Sequence, residues 1–189
     1  MLMRNKKNML CSYLLIHEVP TDFLPEKRDD HRFSRKALKD LTGLENLNIT
    51  NHLHMEEDSS MKVSLSHTKG LACAAMTQDQ DIVSIGVDIE WTDRKYRSGI
   101  EKYFLREEDD KALELIELWA CKEAAYKALS PIYKGEKTLV IKDFVIMNDR
   151  ILFEGVEIGI VSVKRFEYLG REVVLSQGII KSDSAYFDL

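Results

Sequence analysis

The residues whose types and spacing could do chemistry begin with Asp88 and Glu90, in the stretch Ile85-Gly86-Val87-Asp88-Ile89-Glu90. The β-branched residues here, with Asp81-Ile82-Val83-Ser84 before and Trp91-Thr92-Asp93 after, predict a short strand. Alternate residues of a strand share a face, so the two carboxylates project together while Val87 and Ile89 face the other way. Like charges at this spacing repel unless a cation lies between them. Hard oxygen donors of this kind suit Mg²⁺, which takes one or two carboxylates together with substrate phosphates. Gly86 leaves room for another backbone or a ligand just before the acidic pair. The plainer reading of an isolated D-x-E is a solvent-facing pair on an amphipathic strand.

Groups that could serve the same chemistry lie on both sides. Val63-Ser-Leu-Ser-His67 alternates apolar and polar residues and predicts a half-buried strand, antiparallel to the acidic one, with Ser66 and His67 at its end. Beside a metal–phosphate site, His67 is a candidate phosphate donor. Trp119, Glu123 and Lys127 recur at four-residue steps and share one stripe of a helix. If that stripe faces the acidic strand, Glu123 supplies a third carboxylate and Lys127 a compensating cation. Arg28, Arg32 and Arg35 fall on one side of another predicted helix. They form either a solvated face or a multidentate phosphate site, to which the planar guanidinium is suited. His52 and His54, beside Glu56-Glu57-Asp58, could bind a transition metal, but no further matching His or Cys is at hand, so this stretch reads as a surface loop.

The elements that must position these groups follow from local signals. Cys11 to Ile16 reads as a first buried strand. A helix is expected over 24–41, opening at Pro25-Glu26, interrupted near Asp29-Asp30 and closed by Thr42-Gly43. The small residues of Leu71 to Met76 allow close packing. A second helix is expected from Leu105, with Glu107-Glu108-Asp109-Asp110 at its N-terminus, where the macrodipole favours acid, and Pro131 ending it. The remainder reads as strands over 138–147, 150–153, 159–168 and 172–180, with hairpin turns at Asn148-Asp149 and Leu169-Gly170. The strand-to-helix pattern before about residue 85 is echoed after it.

Composition limits the function classes. With 189 residues, 44% hydrophobic and 31% charged, the chain suits one sizeable core or two small lobes. A net charge of −5 argues against general nucleic-acid binding. Cys11, Cys73 and Cys121 lie in no metal-ligand spacing and read as reduced, buried thiols of a cytoplasmic protein. No apolar run approaches a membrane span, and no convincing signal peptide precedes Ile16.

Taken jointly, Ser64-Leu-Ser66-His67-Thr68, Gly86-Val-Asp88-Ile-Glu90 and Trp119-Ala-Cys-Lys122-Glu123-Ala-Ala-Tyr-Lys127 resemble the 4′-phosphopantetheinyl transferases, of the larger single-chain type. The motifs cover residues 64–127, about a third of the chain. The resemblance implies an α+β fold of two similar lobes related by a pseudo-twofold axis, each a small antiparallel sheet on a long helix. It divides the chain into residues 1–85 and 86–189, with the active site in the cleft between. It implies transfer of the phosphopantetheine arm of coenzyme A to a serine of an acyl or peptidyl carrier protein, releasing adenosine 3′,5′-bisphosphate, in the service of fatty-acid, polyketide or nonribosomal peptide synthesis. Asp88, Glu90 and Glu123 fall on the family's Mg²⁺ positions, Lys127 on its phosphate-contacting lysine, and Ser66 and His67 on coenzyme A contacts. Lys27, Arg28, Arg35 and Lys36 fall in its N-terminal coenzyme A region. Glu123 is then the leading base, with Glu90 acting through a metal-bound water second, and Lys127 and His67 assist. Members often carry a Gly-Lys-Pro turn where this chain has Asn51 to Ser60. A monomer suffices, because one chain forms the cleft. The carrier is expected to dock on the basic and aromatic stretch 94–106, which contains Arg94 and Arg97. Asp88→Ala and Glu123→Ala are both expected to abolish transfer with little loss of fold. Alternatives are a non-catalytic coenzyme A- or carrier-binding module of the same fold, or another Mg²⁺-dependent nucleotidyl or phosphoryl transferase.

Overall fold

Alternating apolar residues and tight turns build two antiparallel five-stranded sheets, and two α-helices complete the described residues, 10–184, of this computed structural model. The architecture is α+β. The first sheet has the order β1-β5-β4-β3-β2, from β1 (Ser12–Ile16), β2 (Ile49–Thr50), β3 (His54–Met55), β4 (Lys62–Thr68) and β5 (Leu71–Thr77). The second has the order β6-β10-β9-β8-β7, from β6 (Ile82–Trp91), β7 (Phe144–Met147), β8 (Arg150–Phe153), β9 (Val156–Tyr168) and β10 (Arg171–Lys181). Helix α1 (Asp29–Thr42) packs on β1, β4 and β5, and α2 (Leu115–Leu129) packs on β6 and β10. Strand β6 runs unbroken across residues 85 and 86.

Both helices start later than the sequence suggests, for identifiable reasons. Helix α1 begins at Asp29 rather than Pro25, so Asp29-Asp30 is its acidic first turn and not an interruption. Ahead of it, the Arg32 guanidinium donates to the carbonyls of Pro20, Thr21 and Phe23, which holds the preceding chain in turns. Gly43, at φ 74°, closes the helix as expected. Helix α2 begins at Leu115 rather than Leu105, where Glu114 and Glu117 form a reciprocal capping box. The acidic run at 107–110 lies in turns. Asp109 is buried there and accepts from the backbone N–H groups of Arg106 and Ile146. Residues 138–143 are not strand, because Asp143 turns the chain back by accepting from the Val140 N–H at the 3-10 turn Ile141–Asp143.

The hairpins follow their turn chemistry. Asn148-Asp149 (φ 50° and 61°) and Leu169-Gly170 (φ 54° and 70°) sit in left-handed conformations, as two-residue type I′ turns require. Glu154-Gly155 does the same, which the sequence reading missed. The stretch read as a loop around His52 contains a short hairpin, β2–β3, with two residues in each strand, that buries Leu53 and Met55. His54 there donates to the Ser59 carbonyl. The three cysteines are free and buried, and burial pushes the Cys11 and Cys121 thiols up to about 12, which leaves them inert at neutral pH. Among the described residues, no helix is long and apolar enough to cross a membrane.

Gly86 shows why α2 can lie so close to the second sheet. It pairs across the ladder with Gly178, and both lie against the Ala124 carbonyl of α2. A Cβ at Gly86 would sit 2.0 Å from that oxygen and 2.6 Å from the Ala128 nitrogen, so backbone would have to move. Gly86→Ala should therefore destabilise the protein by at least about 1–3 kcal/mol, the usual range for overpacking, as read from its urea midpoint. Because that movement would part α2 from β6, and with it Lys127 from Asp88, the substitution should also disturb the site described next.

Candidate functional site

The two sheets meet where β4, beyond its short pairing with β3, runs beside β6, the first strand of the second sheet, and the two are joined through side chains instead of a backbone ladder. Ser64 Oγ accepts from the Val87 N–H at 3.0 Å, Ser66 Oγ accepts from the Ile89 N–H at 3.3 Å, and Thr68 Oγ1 donates to Glu90 Oε2 at 3.1 Å. Partners rise together along both strands, so β4 and β6 run in the same direction. The antiparallel relation expected from their nearness in sequence is wrong, because β5 supplies the reversal between them. Serine at alternate positions gives β6 hydroxyl acceptors in place of carbonyls.

That junction places the acidic pair. Asp88 and Glu90 share the face of β6 turned away from the apolar cluster of Ile85, Val87 and Ile89, and each is only 5% exposed. Asp88 Oδ1 accepts from Ser66 Oγ at 2.7 Å and from Lys127 Nζ at 2.7 Å. Lys127 also donates to Ser66 Oγ and to the Val87 carbonyl, each at 3.1 Å, so its three donors are all engaged. Asp88 Oδ2 is buried without a hydrogen-bond partner among the described residues. Both Glu90 oxygens are occupied: Oε2 by Thr68, and Oε1 by an ion pair with Arg94.

Glu123 comes to the same place from α2. Glu123 and Lys127 line one cavity of about 270 Å³ with Ser66, His67, Asp88 and Glu90, together with Leu65, Arg94 and Trp119. The six residues that the motifs assign to the cation and the coenzyme thus converge, with Trp119 and Arg94 beside them. Burial, followed by the nearby Asp88 charge, holds the Glu123 carboxyl above the usual carboxylate range, against the opposing pull of Lys127 and Arg94. A carboxylate raised in this way and an unpartnered buried oxygen on Asp88 are what a hard cation would relieve. The donor set therefore fits Mg²⁺ chemically, although no three acidic, His or Cys groups among the described residues are close enough to make a finished metal centre.

The basic N-terminal residues divide. Lys27 and Arg35 line a separate cavity of about 410 Å³ with His31, Asn46 and Asn48. Arg35 Nη1 and His31 Nδ1 are buried there without hydrogen-bond partners among the described residues, and burial lowers the pKa of both side chains. Arg28 and Lys36 are instead committed to Asp30 and Asp40. His67 is half exposed, with its Nε2 3.6 Å from Asp30 Oδ2 at the start of α1.

Two residues acquire roles that the sequence did not reveal. Arg94, placed by the sequence in the docking stretch, folds back over Glu90 because its N–H bonds the Trp91 carbonyl in a turn. The turn signal Thr92-Asp93 directly after the strand is what could have shown it. Lys122, quoted only as part of a motif, is completely buried, with Nζ 2.6 Å from Asp109 Oδ2 and 2.6 Å from the Phe104 carbonyl. It braces α2 on the loop before it, while its neighbour Glu123 faces the cavity. No family model and no curated protein matches this chain.

Proposed function

We propose that this chain is a Mg²⁺-dependent 4′-phosphopantetheinyl transferase that moves the arm of coenzyme A onto a carrier-protein serine. The observation that carries the reading is the convergence of Ser66, His67, Asp88, Glu90, Glu123 and Lys127 on one cavity where the two sheets meet. These residues come from three elements up to 61 positions apart. The pseudo-twofold relation of lobes 1–85 and 86–189, a cytoplasmic setting and a monomeric state belong to the same proposal.

The chemistry asks four things of the chain. Asp88 and Glu123 are the candidate holders of the cation, with Asp88 Oδ2 the open oxygen among the buried ones, while Glu90, the third candidate by sequence, has both oxygens occupied by Thr68 and Arg94. When bound, the cation neutralises the coenzyme diphosphate and polarises the attacked phosphoryl oxygen. Lys127 and His67 stabilise the phosphate charge as it develops. Lys127 must first give up one of its present acceptors. Glu123, raised in pKa and set on a rigid helix, takes the proton from the carrier serine. The serine oxygen bonds to the pantetheine-bearing phosphorus, and the bond from that phosphorus to the oxygen of adenosine 3′,5′-bisphosphate breaks.

Beside Glu123 a groove of about 820 Å³ is lined by Trp119, Tyr126, Ile100, Tyr103, Arg97 and Lys102 among others. Tyr103 is 67% exposed. Of the docking stretch 94–106, Arg97, Ile100, Lys102 and Tyr103 line this groove and are placed to meet an acidic carrier, whereas Arg94 is paired with Glu90. Arg97→Glu should raise the carrier KM and leave the coenzyme A KM unchanged.

Arg35 and Lys27 serve the nucleotide end of the coenzyme. Arg35→Ala should raise the coenzyme A KM far more than it lowers kcat, because the contact is made equally before and during reaction. Steady-state kinetics with varied coenzyme A checks this, and an unchanged KM removes Arg35 from the site. The whole reading is tested by intact-mass measurement of an acyl or peptidyl carrier protein incubated with this protein, coenzyme A and Mg²⁺. A gain of one phosphopantetheine is expected. Binding of coenzyme A without transfer to any carrier tried would favour a non-catalytic module.

A further inference from the structure

Glu90 and Asp88 sit two residues apart on one face, yet their surroundings differ. Asp88 keeps a buried oxygen without a partner among the described residues, whereas both oxygens of Glu90 are taken by Thr68 and Arg94. Arg94 is itself held firmly. Its guanidinium lies 5.3 Å from the centre of the Tyr96 ring and 5.5 Å from that of Trp119, within the range of cation–π attraction. The same side chain lines both the carboxylate cavity and an adjoining cavity of about 520 Å³ that His67 shares. It is 38% exposed and therefore open to a ligand crossing from one cavity to the other.

We propose that Glu90 and Arg94 work as one unit: Glu90 holds Arg94 rather than the cation, and Arg94 contacts the coenzyme diphosphate. Glu90 is then a positioning residue, Arg94 a substrate-contacting one, and the divalent cation rests on Asp88 and Glu123. This refines the transferase reading and rests on it. A planar guanidinium offers paired donors that match two phosphate oxygens at once. Lys127 spends all three donors within the protein, so Arg94 and His67 are the cationic or protonatable side chains of the cavity nearest to being available.

The double substitution Glu90→Gln with Arg94→Gln removes a pair of zero net charge, so long-range effects on a bound cation largely cancel. Mn²⁺ binding by the full chain without coenzyme A, read by electron paramagnetic resonance, should change by less than about twofold in this variant, while Asp88→Asn should weaken it by more than about tenfold. Coenzyme A binding, read by calorimetry, should weaken by about tenfold in Arg94→Gln and in Glu90→Gln, which frees Arg94 from its anchor, and should recover in part in Arg94→Lys. A merely structural role for Glu90 would move the unfolding midpoint and leave the coenzyme affinity of the folded protein unchanged. The proposal is overturned if the double variant loses Mn²⁺ as Asp88→Asn does, or if Arg94→Gln binds coenzyme A like the wild type. If the double variant does not fold, Arg94→Lys keeps the pair charged and decides the coenzyme arm by itself: undiminished affinity overturns the contact. Failure of wild-type protein to modify any carrier would count against the transferase reading and would leave these binding results standing as they fall.

Discussion

On the transferase reading proposed above, Glu123→Gln should lower the rate of phosphopantetheine transfer by about 10²–10⁴-fold, the usual worth of a positioned base, while leaving the protein at least as stable as before. The two halves of this outcome have one cause. Burial and the Asp88 charge penalise ionised Glu123 in the folded protein, so its folded pKa lies above its unfolded value. A raised acid contributes stability that is present below the unfolded pKa and is lost as pH rises through the folded one. An amide of the same shape avoids that loss. The stability gain of Glu123→Gln over wild type should therefore grow as pH rises through the raised pKa and vanish in acid. Urea unfolding at several pH values measures it, and intact-mass kinetics measure the lost transfer. A variant that is inactive and also much less stable at neutral pH would mean that Glu123 is a structural partner and not a base.

Asp88 should behave differently, against the expectation that both carboxylates could be removed without harm. It neutralises Lys127 and satisfies Ser66. Removing it strands a cation that is only 27% exposed, so Asp88→Ala should cost stability as well as the proposed activity.

Asp109→Ala should destabilise the protein by about 3–5 kcal/mol, because it leaves Lys122 completely buried without its counter-charge. For a chain of this size that corresponds to roughly 6–20 °C in Tm. The loss should exceed the few tenths of a kcal/mol expected of an exposed acidic residue, and scanning calorimetry separates the two directly. Desolvation already lowers the Lys122 pKa, with Asp109 opposing it, so the substitution should also make that lysine easier to deprotonate. Lys122→Met in the Asp109→Ala background should recover part of the stability, since an apolar chain needs no partner. A small effect from Asp109→Ala would mean that water reaches Lys122.

Local pattern was enough for much of the fold. The alternation in Val63–His67, the left-handed turns at Asn148-Asp149 and Leu169-Gly170, and the Gly43 stop all reflect interactions within a few residues, which is why they could be read from the chain alone. The same-face projection of Asp88 and Glu90 follows from strand geometry, and the Glu123–Lys127 stripe follows from helix geometry. Helix starts were misread because acidic residues at 29–30 and 107–110 give the same local signal whether they open a helix or cap a loop. At 107–110 the outcome depended on Lys122 and Ile146, which lie far along the chain.

By itself, then, the sequence determined which carboxylates and cations exist, which share a face, and how closely α2 may approach at Gly86. Only the tertiary structure decided their pairings. The parallel run of β4 beside β6, joined by serine hydroxyls, brings Ser66 to Asp88 across 22 residues, and the turn after Trp91 gives Glu90 to Arg94. Lys122 and Glu123 are neighbours on one helix with opposite fates, one sealed beneath the Phe104 carbonyl and the other facing the cavity. Periodicity fixes the direction of a side chain on its own element. What that side chain meets is set by the packing of another element, because charge and hydrogen bonding act through distances that sequence separation does not encode.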